Sequence, residues 1–408
     1  MAKPKLALIP AAQGTKFYSV LPSDGSGDFT FARGSVATRI NAQGLIENVA
    51  SGQSRLDYPM IDGVQKGCPH HILEPARTNL FTYSEDFSKS VWAKNSVGSA
   101  SAPVVTLNYA TSPDGTQNAS RLQLELSGSS SSDKSFLENT QTLDGSSSYT
   151  LTFYIKSNNG VNQNLIFLQN SVSGNAITAT NKWIRVEQSF SSNSTFNRGF
   201  GLMALGNIQQ SVDVIIWGAQ LEAGSYATSY IPTSGTAVTR SAETATGAGN
   251  STTFNDSEGV LMAEIATENL TSDNLICISD GSNTNRSFIG LSNTTGYVYS
   301  MIFSGGSQSV NFTTTIAALN FTKIALKIKQ NDFSLHINGF KIATNTSGTP
   351  SIGLNELELR NASGSSPFYG KTKQIQYFDS ALADTQLEQL TSWQSFRDMA
   401  NGQLYTIE

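Results

Sequence analysis

Apolar and polar residues alternate with a period of two in many short segments of this chain. The clearest examples are Leu122/Leu124/Leu126, Leu151/Phe153/Ile155, Ile324/Leu326/Ile328, Phe333/Leu335/Ile337 and Leu357/Leu359. Because successive side chains of a strand point to opposite faces, this period predicts half-buried antiparallel strands. Clusters rich in Ser, Gly and Asn, at 127–132 and 158–160, separate such segments and favour turns. Short strands with frequent turns are typical of β-sandwiches and barrels.

Two local patterns are more specific. Asn338-Gly339 stands between the apolar segments 333–337 and 340–342, and both residues accept the positive φ of a two-residue hairpin turn. A helical period of three to four occurs only near the end of the chain, where Asp384 offers an N-cap. The sequence therefore predicts a hairpin at 338–339 and one helix from about Thr385 to Arg397.

Changes in composition divide the chain, whose 408 residues suggest about two to three domains. From Thr233 to Thr253 the residues are almost all small and polar, as in an exposed connector. We predict an irregular segment at 1–80, a jelly-roll β-sandwich at 81–240, a linker at 241–255, and a second jelly roll with the helix at 256–408. The fold class is thus all-β, and proteolysis is expected to cut the linker first.

Charge and apolar content exclude several classes of protein. The net charge is −5 and no segment is rich in Lys or Arg, so nucleic-acid binding is not predicted. The longest apolar runs, such as 214–217, are far shorter than the roughly 20 residues of a membrane-spanning helix. The apolar stretch at 6–9 is too short for a signal peptide. Cys68 and Cys277 fall in different predicted modules, so no disulfide framework is expected.

No common catalytic motif is present: the chain lacks G-x-G-x-x-G, G-x-x-x-x-G-K-[ST], H-E-x-x-H and G-x-S-x-G. We therefore expect no enzymatic activity. Glu222 is interpreted as a structural partner for backbone amides or an arginine. His70 and His71 are neighbours on an extended chain, so their rings point to opposite sides and do not easily chelate one metal ion.

A series of ordered motifs covers roughly the first 240 residues. They are found at 18–35, 37–40, 44–47, 55–58, 73–80, 83–87, 220–224 and 228–233. Together they resemble bacteriophage head-spike and tail-fibre proteins. The segment 68–72 departs from that pattern, because two histidines stand where small or aliphatic residues are expected. The resemblance implies a protein on the virion surface, made in the host cytoplasm, whose N-terminal segment binds other virion proteins.

Both predicted sandwiches resemble sugar-binding folds. Residues 81–235 resemble carbohydrate-binding modules of the jelly-roll type through the strands at 183–186 and 212–217. Residues 256–395 resemble the laminin-G-like, concanavalin-A-like lectin fold through the strand at 259–265, the Asn338-Gly339 hairpin and the segment 381–384. Such modules often bind glycans, sometimes through Ca²⁺, and many are purely structural.

Sugars stack on aromatic faces, so aromatic residues in turn-rich settings are the candidates for glycan contact. They are Trp92, Tyr297, Tyr299, Phe368 and Tyr369. Tyr297 and Tyr299 share one face of a strand, either as a sugar platform or as core residues, in which case Val298 would face solvent. Trp183 and Trp217 lie inside predicted strands and are expected in the core, whereas His336 is expected to face solvent. Asp280, in an acidic turn, is the candidate ligand for Ca²⁺, and no cofactor is required.

The leading hypothesis is a non-enzymatic virion fibre or spike, of the head or the tail, that adheres to host-surface glycans. The alternatives are a purely structural decoration protein of the capsid or tail and a glycan depolymerase. Because weak sugar sites gain affinity when several copies act together, an oligomer is favoured. The resemblance to phage fibres implies a homotrimer.

Overall fold

The computed structural model describes residues 3–10, 17–61, 63–128, 130–144, 147–169, 172–191, 197–206, 211–268, 272–292, 297–316, 321–393 and 398. These residues are almost entirely β, with one short helix, which confirms the all-β fold class and its β-sandwiches. No helix among them is long and apolar enough to cross a membrane.

Short strands make up the first 80 residues. They are β1 (Leu6–Pro10), β2 (Phe17–Leu21), β3 (Thr30–Ala32), β4 (Ala37–Ile40), β5 (Ile46–Val49), β6 (Arg55–Asp57), β7 (Met60–Ile61), β8 (Val64–Gln65), β9 (His70–Leu73) and β10 (Arg77–Asn79).

Longer strands form the first sandwich: β11 (Trp92–Val97), β12 (Val104–Ala110), β13 (Ala119–Glu125), β14 (Lys134–Thr142), β15 (Ser148–Ser157), β16 (Gln163–Gln169), β17 (Val172–Ala179), β18 (Ile184–Ser191), β19 (Asn197–Leu205) and β20 (Ser211–Ala223). Two five-stranded sheets, ordered β11-β14-β19-β16-β17 and β12-β13-β20-β15-β18, face each other. Alternate apolar residues of both sheets, such as Leu122, Phe153 and Leu202, fill one core between them.

The remaining strands are β21 (Val238–Arg240), β22 (Thr244–Thr246), β23 (Glu258–Ala266), β24 (Asn274–Ser279), β25 (Arg286–Leu291), β26 (Tyr297–Ser304), β27 (Ser307–Thr315), β28 (Thr322–Lys329), β29 (Phe333–Ile337), β30 (Phe340–Asn345), β31 (Glu356–Glu358) and β32 (Gly370–Phe378). A sheet ordered β27-β26-β25-β24-β31 packs on a larger one that contains β32-β23-β28-β29-β30.

The N-terminal segment is built into the second sandwich. β1 pairs with β32 and carries β2 at its other edge, while β9 pairs with a different part of β32. Leu6, Leu8 and Phe17 lie in the same core as Leu261 and Ile324. Residues more than 300 positions apart in the chain are therefore neighbours in one sheet.

The predicted linker at 241–255 is not an exposed connector, and that interpretation was wrong. β22 pairs with β3, and Glu243, Ala245 and Ala248 are buried. Exposure is concentrated in residues 234–239 of the polar stretch, and the buried part begins at Arg240. Whether the predicted domain boundaries mark independent folding units remains a prediction.

The hairpin at Asn338-Gly339 is confirmed. β29 and β30 pair on either side of it, and the φ angles of Asn338 and Gly339 are 50° and 89°. Both residues thus have the positive φ that a two-residue type I′ turn requires.

The predicted helix is confirmed as α1 (Asp384–Thr391), but it is shorter than predicted, since Ser392 after it is extended, and its N-cap is Ala383 rather than Asp384. Asp384 is the first helical residue, and its carboxylate lies 2.9 Å from Lys341 Nζ. The predicted end at Arg397 lies outside the described residues. Leu387 is fully buried where the helix packs on the outer face of the larger sheet.

His336 is fully buried, so the expectation that it faces solvent was wrong. Its Nε2 lies 3.1 Å from the Ser334 hydroxyl and 3.8 Å from the Asp384 carboxylate. The strand alternates as predicted, but Asp384 at the start of α1 covers the outer face of the sheet, which the local pattern predicts to be exposed to solvent.

Candidate functional site

Trp92 and Phe368, two of the predicted glycan contacts, are core residues. Their exposed fractions are 1% and 0%. Trp92 packs against Phe81 and Phe87 in the first sandwich, and its indole N–H donates to the Tyr83 carbonyl. Their turn-rich sequence settings were misleading, because Trp92 begins strand β11 and Phe368 lies just before β32, and both rings point into a core. A buried ring presents no face to a sugar, so this prediction was wrong for both residues.

Tyr297 and Tyr299 lie on the outer face of their sheet. Val298, between them, is fully buried in the core of the second sandwich, which is the arrangement predicted for outward-facing tyrosines. Tyr297 is exposed, whereas the Tyr299 ring packs edge-on against Phe288 at 5.6 Å between centroids. The pair remains a candidate surface, with one ring available and the other partly covered.

The Asp280 carboxylate is occupied within its own turn. Its Oδ1 accepts from the backbone N–H and hydroxyl of Ser282, and its Oδ2 accepts from Asn285. Across the ranges that the structure describes, no three His, Cys, Asp or Glu side chains cluster as metal ligands. The role of Ca²⁺ stays a prediction without a built site at Asp280.

His70 and His71 point to opposite sides of β9. The His71 ring stacks on Phe17 at 5.1 Å, while the His70 ring meets Phe321 at 5.7 Å. Glu222 is also placed as interpreted from the sequence: its carboxylate accepts from the backbone N–H and the hydroxyl of Thr228.

Tyr369, the remaining candidate, lines a cleft of about 270 Å³ between the N-terminal segment and the two sandwiches, hereafter the junction cleft. The N-terminal segment contributes Asp57 and Glu74 to it. Other side chains come from both sandwiches: Tyr154, Arg185, Glu187, Tyr226, Glu268 and Lys371. The junction cleft thus collects aromatic, acidic and basic side chains from all three parts of the chain.

One wall of the junction cleft is the loop 226–230, which buried charged groups hold in place. Glu74 accepts from the backbone N–H of Ser229 at 2.7 Å and from its hydroxyl at 2.6 Å. Arg240 donates to the hydroxyls of both Thr228 and Ser229. Because these bonds fix backbone as well as side chains, the wall is preorganised.

The charges behind this wall compensate one another. Burial would raise the pKa of Glu74, but Arg240 and Arg55 outweigh it and hold that pKa far below its usual range. Burial likewise opposes the charge of Arg55, and the carboxylates of Glu243 and Glu74 more than offset it, so the pKa of Arg55 is raised. Glu74 and Arg55 therefore remain ionised at neutral pH.

The groups that face the junction cleft have a different environment. Burial raises the pKa of Asp57 to about 6, although the Ile40 N–H donates to its carboxylate at 2.7 Å. Burial also raises the pKa of Tyr154, Tyr226 and Tyr369, so all three hydroxyls stay protonated. The Lys371 ammonium is paired with Glu268 at 2.7 Å.

Two hydrogen-bond donors of the junction cleft have no acceptor among the described residues. They are the Tyr226 hydroxyl and Arg185 Nε, and both atoms are shielded from solvent. The other Arg185 nitrogens donate to the Thr228 carbonyl and the Thr152 hydroxyl. A buried donor without an acceptor costs free energy, so each of these groups is suited to meeting a ligand oxygen.

The sequence did not identify Asp57, Tyr154, Arg185, Glu187 or Tyr226 as site residues. They are separated by up to about 170 positions, and none belongs to a motif with known site chemistry. The nearest signals were the resembling motifs at 55–58, 220–224 and 228–233 and the strand at 183–186, which include Asp57 and Arg185 but carry no stated ligand.

Comparisons with family models and with curated proteins find no match. Among solved structures, the CBM40 domain of the Ruminococcus gnavus IT-sialidase bound to alpha2,3 sialyllactose is 18% identical, with 36% of this chain and 94% of that chain covered and a TM-score of 0.31. Mouse laminin alpha1 domains LG4-5 are 12% identical, with 71% of this chain and 93% of that chain covered and a TM-score of 0.25. The metal-free exoplasmic/lumenal domain of VIP36 is 9% identical, with 75% of this chain and 93% of that chain covered and a TM-score of 0.18. These structures lend no support to a bacteriophage origin, and at such scores no ligand or residue role is transferred.

Proposed function

We propose that this protein binds glycans without cleaving them, and that the junction cleft is the binding site. The observation that carries the proposal is a pair of donors, Tyr226 Oη and Arg185 Nε, that have no acceptor among the described residues and lie in a cleft lined by tyrosine rings. Sugars present the matching chemistry, since their oxygens accept hydrogen bonds and their C–H faces pack on aromatic rings.

The size and the acceptors of the junction cleft agree with this ligand class. A volume of about 270 Å³ is at the lower end of small-ligand pockets, so about one sugar unit fits. Asp57 and Glu187 supply carboxylate oxygens for the hydroxyl protons of the sugar. The fixed wall at 226–230 lowers the cost of ordering the site on binding.

The finer proposal is a virion fibre or spike that adheres to host glycans. It rests on the resemblance of the motifs between residues 18 and 233 to phage head-spike and tail-fibre proteins. In that setting the N-terminal segment, or its surface on the second sandwich, would contact other virion proteins. A decoration protein without a ligand is the competing proposal.

An array of bacterial surface polysaccharides and their fragments, probed with the full chain, tests this function. Tyr226→Phe removes one unpartnered hydroxyl and should weaken binding about fivefold to tenfold without lowering the melting temperature. Tyr297→Ala, on the outer face of the second sandwich, is the matched control and should leave binding unchanged.

Other outcomes would contradict the proposal in distinct ways. Loss of binding in Tyr297→Ala but not in Tyr226→Phe would move the site to the outer face of the second sandwich. Absence of binding to every glycan would favour the decoration protein. Release of reducing ends from a bound polysaccharide would identify a depolymerase instead.

A further inference from the structure

A second concavity, of about 250 Å³, adjoins the junction cleft and is called here the second chamber. Thr38, Ile46 and Tyr230 line both spaces, so they form the partition between them. The Thr38 hydroxyl donates to the Tyr230 carbonyl at 2.5 Å, which fixes this partition to the loop 226–230. The two spaces are therefore neighbouring compartments of one groove along the N-terminal segment and the first sandwich, and the second sandwich closes only the junction cleft.

Acidic side chains line the second chamber. Glu85 Oε1 accepts from the Tyr230 hydroxyl at 2.8 Å. The Asn118 amide donates to Glu85 Oε2 at 3.1 Å and to Asp114 Oδ2 at 3.2 Å, so the two carboxylates lie on either side of one nitrogen. Asp114 also accepts from Ser112 and Thr116, whereas Glu85 keeps lone pairs for the hydroxyl donors of a ligand.

An unpartnered donor lies beside these acceptors. Trp217 lines the second chamber with an exposed fraction of 1%, and its indole N–H has no acceptor in the part of the chain that the structure describes. Its ring packs on Tyr230 at 4.5 Å between centroids. Acceptors and an unpartnered donor around one space are the same combination that marks the junction cleft.

The charges of both spaces disfavour an anionic ligand. No Lys, Arg or His is among the described residues that line the second chamber. In the junction cleft, Lys371 is paired with Glu268, and Arg39 is paired with Glu47 at 2.6 Å. The third cation there, Arg185, donates to the Thr228 carbonyl and the Thr152 hydroxyl. A carboxylated or sulfated sugar would meet the carboxylates of Asp57, Glu85, Asp114 and Glu187, which outnumber Arg185, the one lining cation without a carboxylate partner among the described residues.

We infer that the groove takes a chain of at least two uncharged sugar units, one in the junction cleft and the next in the second chamber. This inference rests on the proposed function and specifies its ligand class. Uncharged hydroxyls donate to the carboxylates, and a ring or hydroxyl oxygen accepts from the Trp217 indole. The partition at Thr38 and Tyr230 lies where the glycosidic linkage would pass.

The test uses the full chain and three homologous sets of sugars, derived from maltose, cellulose and chitin, each from one to four units long. Isothermal titration should show that affinity rises at least about tenfold from one unit to two or three in at least one set. A glucuronic acid oligomer of equal length should bind at least about tenfold more weakly.

Two variants assign the gain to the second chamber. Asn48 is exposed, lines this chamber and lies outside the junction cleft, so Asn48→Trp fills the space without disturbing the core. It should remove the gain with chain length and leave single-unit binding unchanged, while Asn48→Ala should keep the gain. Glu85→Gln should reduce the gain, and its melting temperature reports whether the Tyr230 contact survives.

The two proposals fail in different ways. Equal affinity for one unit and four units, or an Asn48→Trp variant that keeps the gain, overturns the two-compartment groove and leaves glycan binding standing. Stronger binding of the glucuronic acid oligomer overturns the uncharged ligand class. No binding in any of the three sets overturns this inference together with a neutral-glycan site in the cleft.

Discussion

Glu243 connects the buried charges behind the junction cleft. Its Oε1 accepts from Arg33 at 2.6 Å and from Arg55 Nε at 2.9 Å, and its Oε2 accepts from the Glu74 backbone N–H. Its side chain and both arginine side chains are at most 3% exposed. At such burial a charge is tolerated only with its partners, so the residues stabilise one another as a set.

Glu243→Gln should lower the free energy of unfolding by about 3–5 kcal/mol, because it leaves Arg33 and Arg55 without enough compensating charge. Glu258→Gln is the matched control, since Glu258 pairs with Lys329 at 3.0 Å where both side chains reach solvent. This control should lower the free energy of unfolding by at most about 1 kcal/mol. Urea denaturation of both variants measures the difference, and equal losses would show that the buried network is not cooperative.

His71 makes stability depend on pH. Burial between Phe17 and Phe31, together with the nearby charge of Arg55, lowers its pKa to about 3. In the unfolded chain a histidine binds its proton near pH 6.5, so below that pH the unfolded state binds more protons than the folded state. The contribution of neutral His71 to the free energy of unfolding is therefore fully present above about pH 6.5. It declines as the pH falls toward 3.

His71→Phe should flatten this acid dependence, because a phenyl ring fits the same stack and does not titrate. Between pH 6 and 4 the free energy of unfolding of the unmodified chain should fall by about 1.4 kcal/mol per pH unit more than that of the variant. Urea denaturation at several pH values gives both slopes. Parallel slopes would mean that another group controls the acid transition.

For individual residues, the sequence predicted the direction and contacts of a side chain better than its exposure to solvent. The opposite directions of His70 and His71 and the backbone contacts of Glu222 follow from short-range rules, and both were confirmed. Trp92 and Phe368 were assigned to a binding surface because their neighbours resemble turns. Their burial depends on residues far along the chain, which no local pattern reports.

Among the elements, the segment from β21 to β22 shows why composition alone was misleading. β21 pairs with β10, β22 pairs with β3, and Arg240 at the end of β21 is 1% exposed. A chain rich in Thr, Ser and Ala is typical of solvated connectors, yet small side chains also allow close packing between larger elements. The hairpin was predictable because Asn-Gly requires no distant partner.

Limited trypsin digestion should therefore spare the segment that the sequence marked as a linker. Arg240 is buried within paired backbone, whereas Lys182 is exposed in the turn between β17 and β18. Because proteases require an accessible, locally unfolded segment, cleavage after Lys182 should precede cleavage after Arg240. Mass spectrometry of early fragments distinguishes the two sites. Early cleavage after Arg240 would show that this segment is an exposed linker after all.

In the whole molecule, the junction cleft exists only because three parts of the chain meet. Asp57 belongs to the N-terminal segment, Tyr154 to the first sandwich and Tyr369 to the second. The sequence indicated each sandwich from its own alternation, but it contained no signal for how β1 and β9 join β32. A site built from such contacts follows from assembly of the fold, so pattern analysis found only one of its residues.

The assembly of several copies is the last prediction. The edge strand β30 exposes Phe340 and Ile342, and the edge strand β12 of the other sandwich exposes Val104. Unpaired strand edges with apolar side chains favour association, and several shallow sugar sites acting together gain affinity. We therefore expect a homotrimer, as the resemblance to phage fibres implies.

Light scattering at about 10 µM should give three times the monomer mass of 43.7 kDa. Replacing both Phe340 and Ile342 with lysine should shift the particle to a monomer if β30 forms the contact, because added charge at a strand edge opposes pairing. The melting temperature should stay within a few degrees, since both side chains already face solvent. Val104→Lys on β12 is the control that should remain trimeric, and a monomer before any substitution would rule out the trimer.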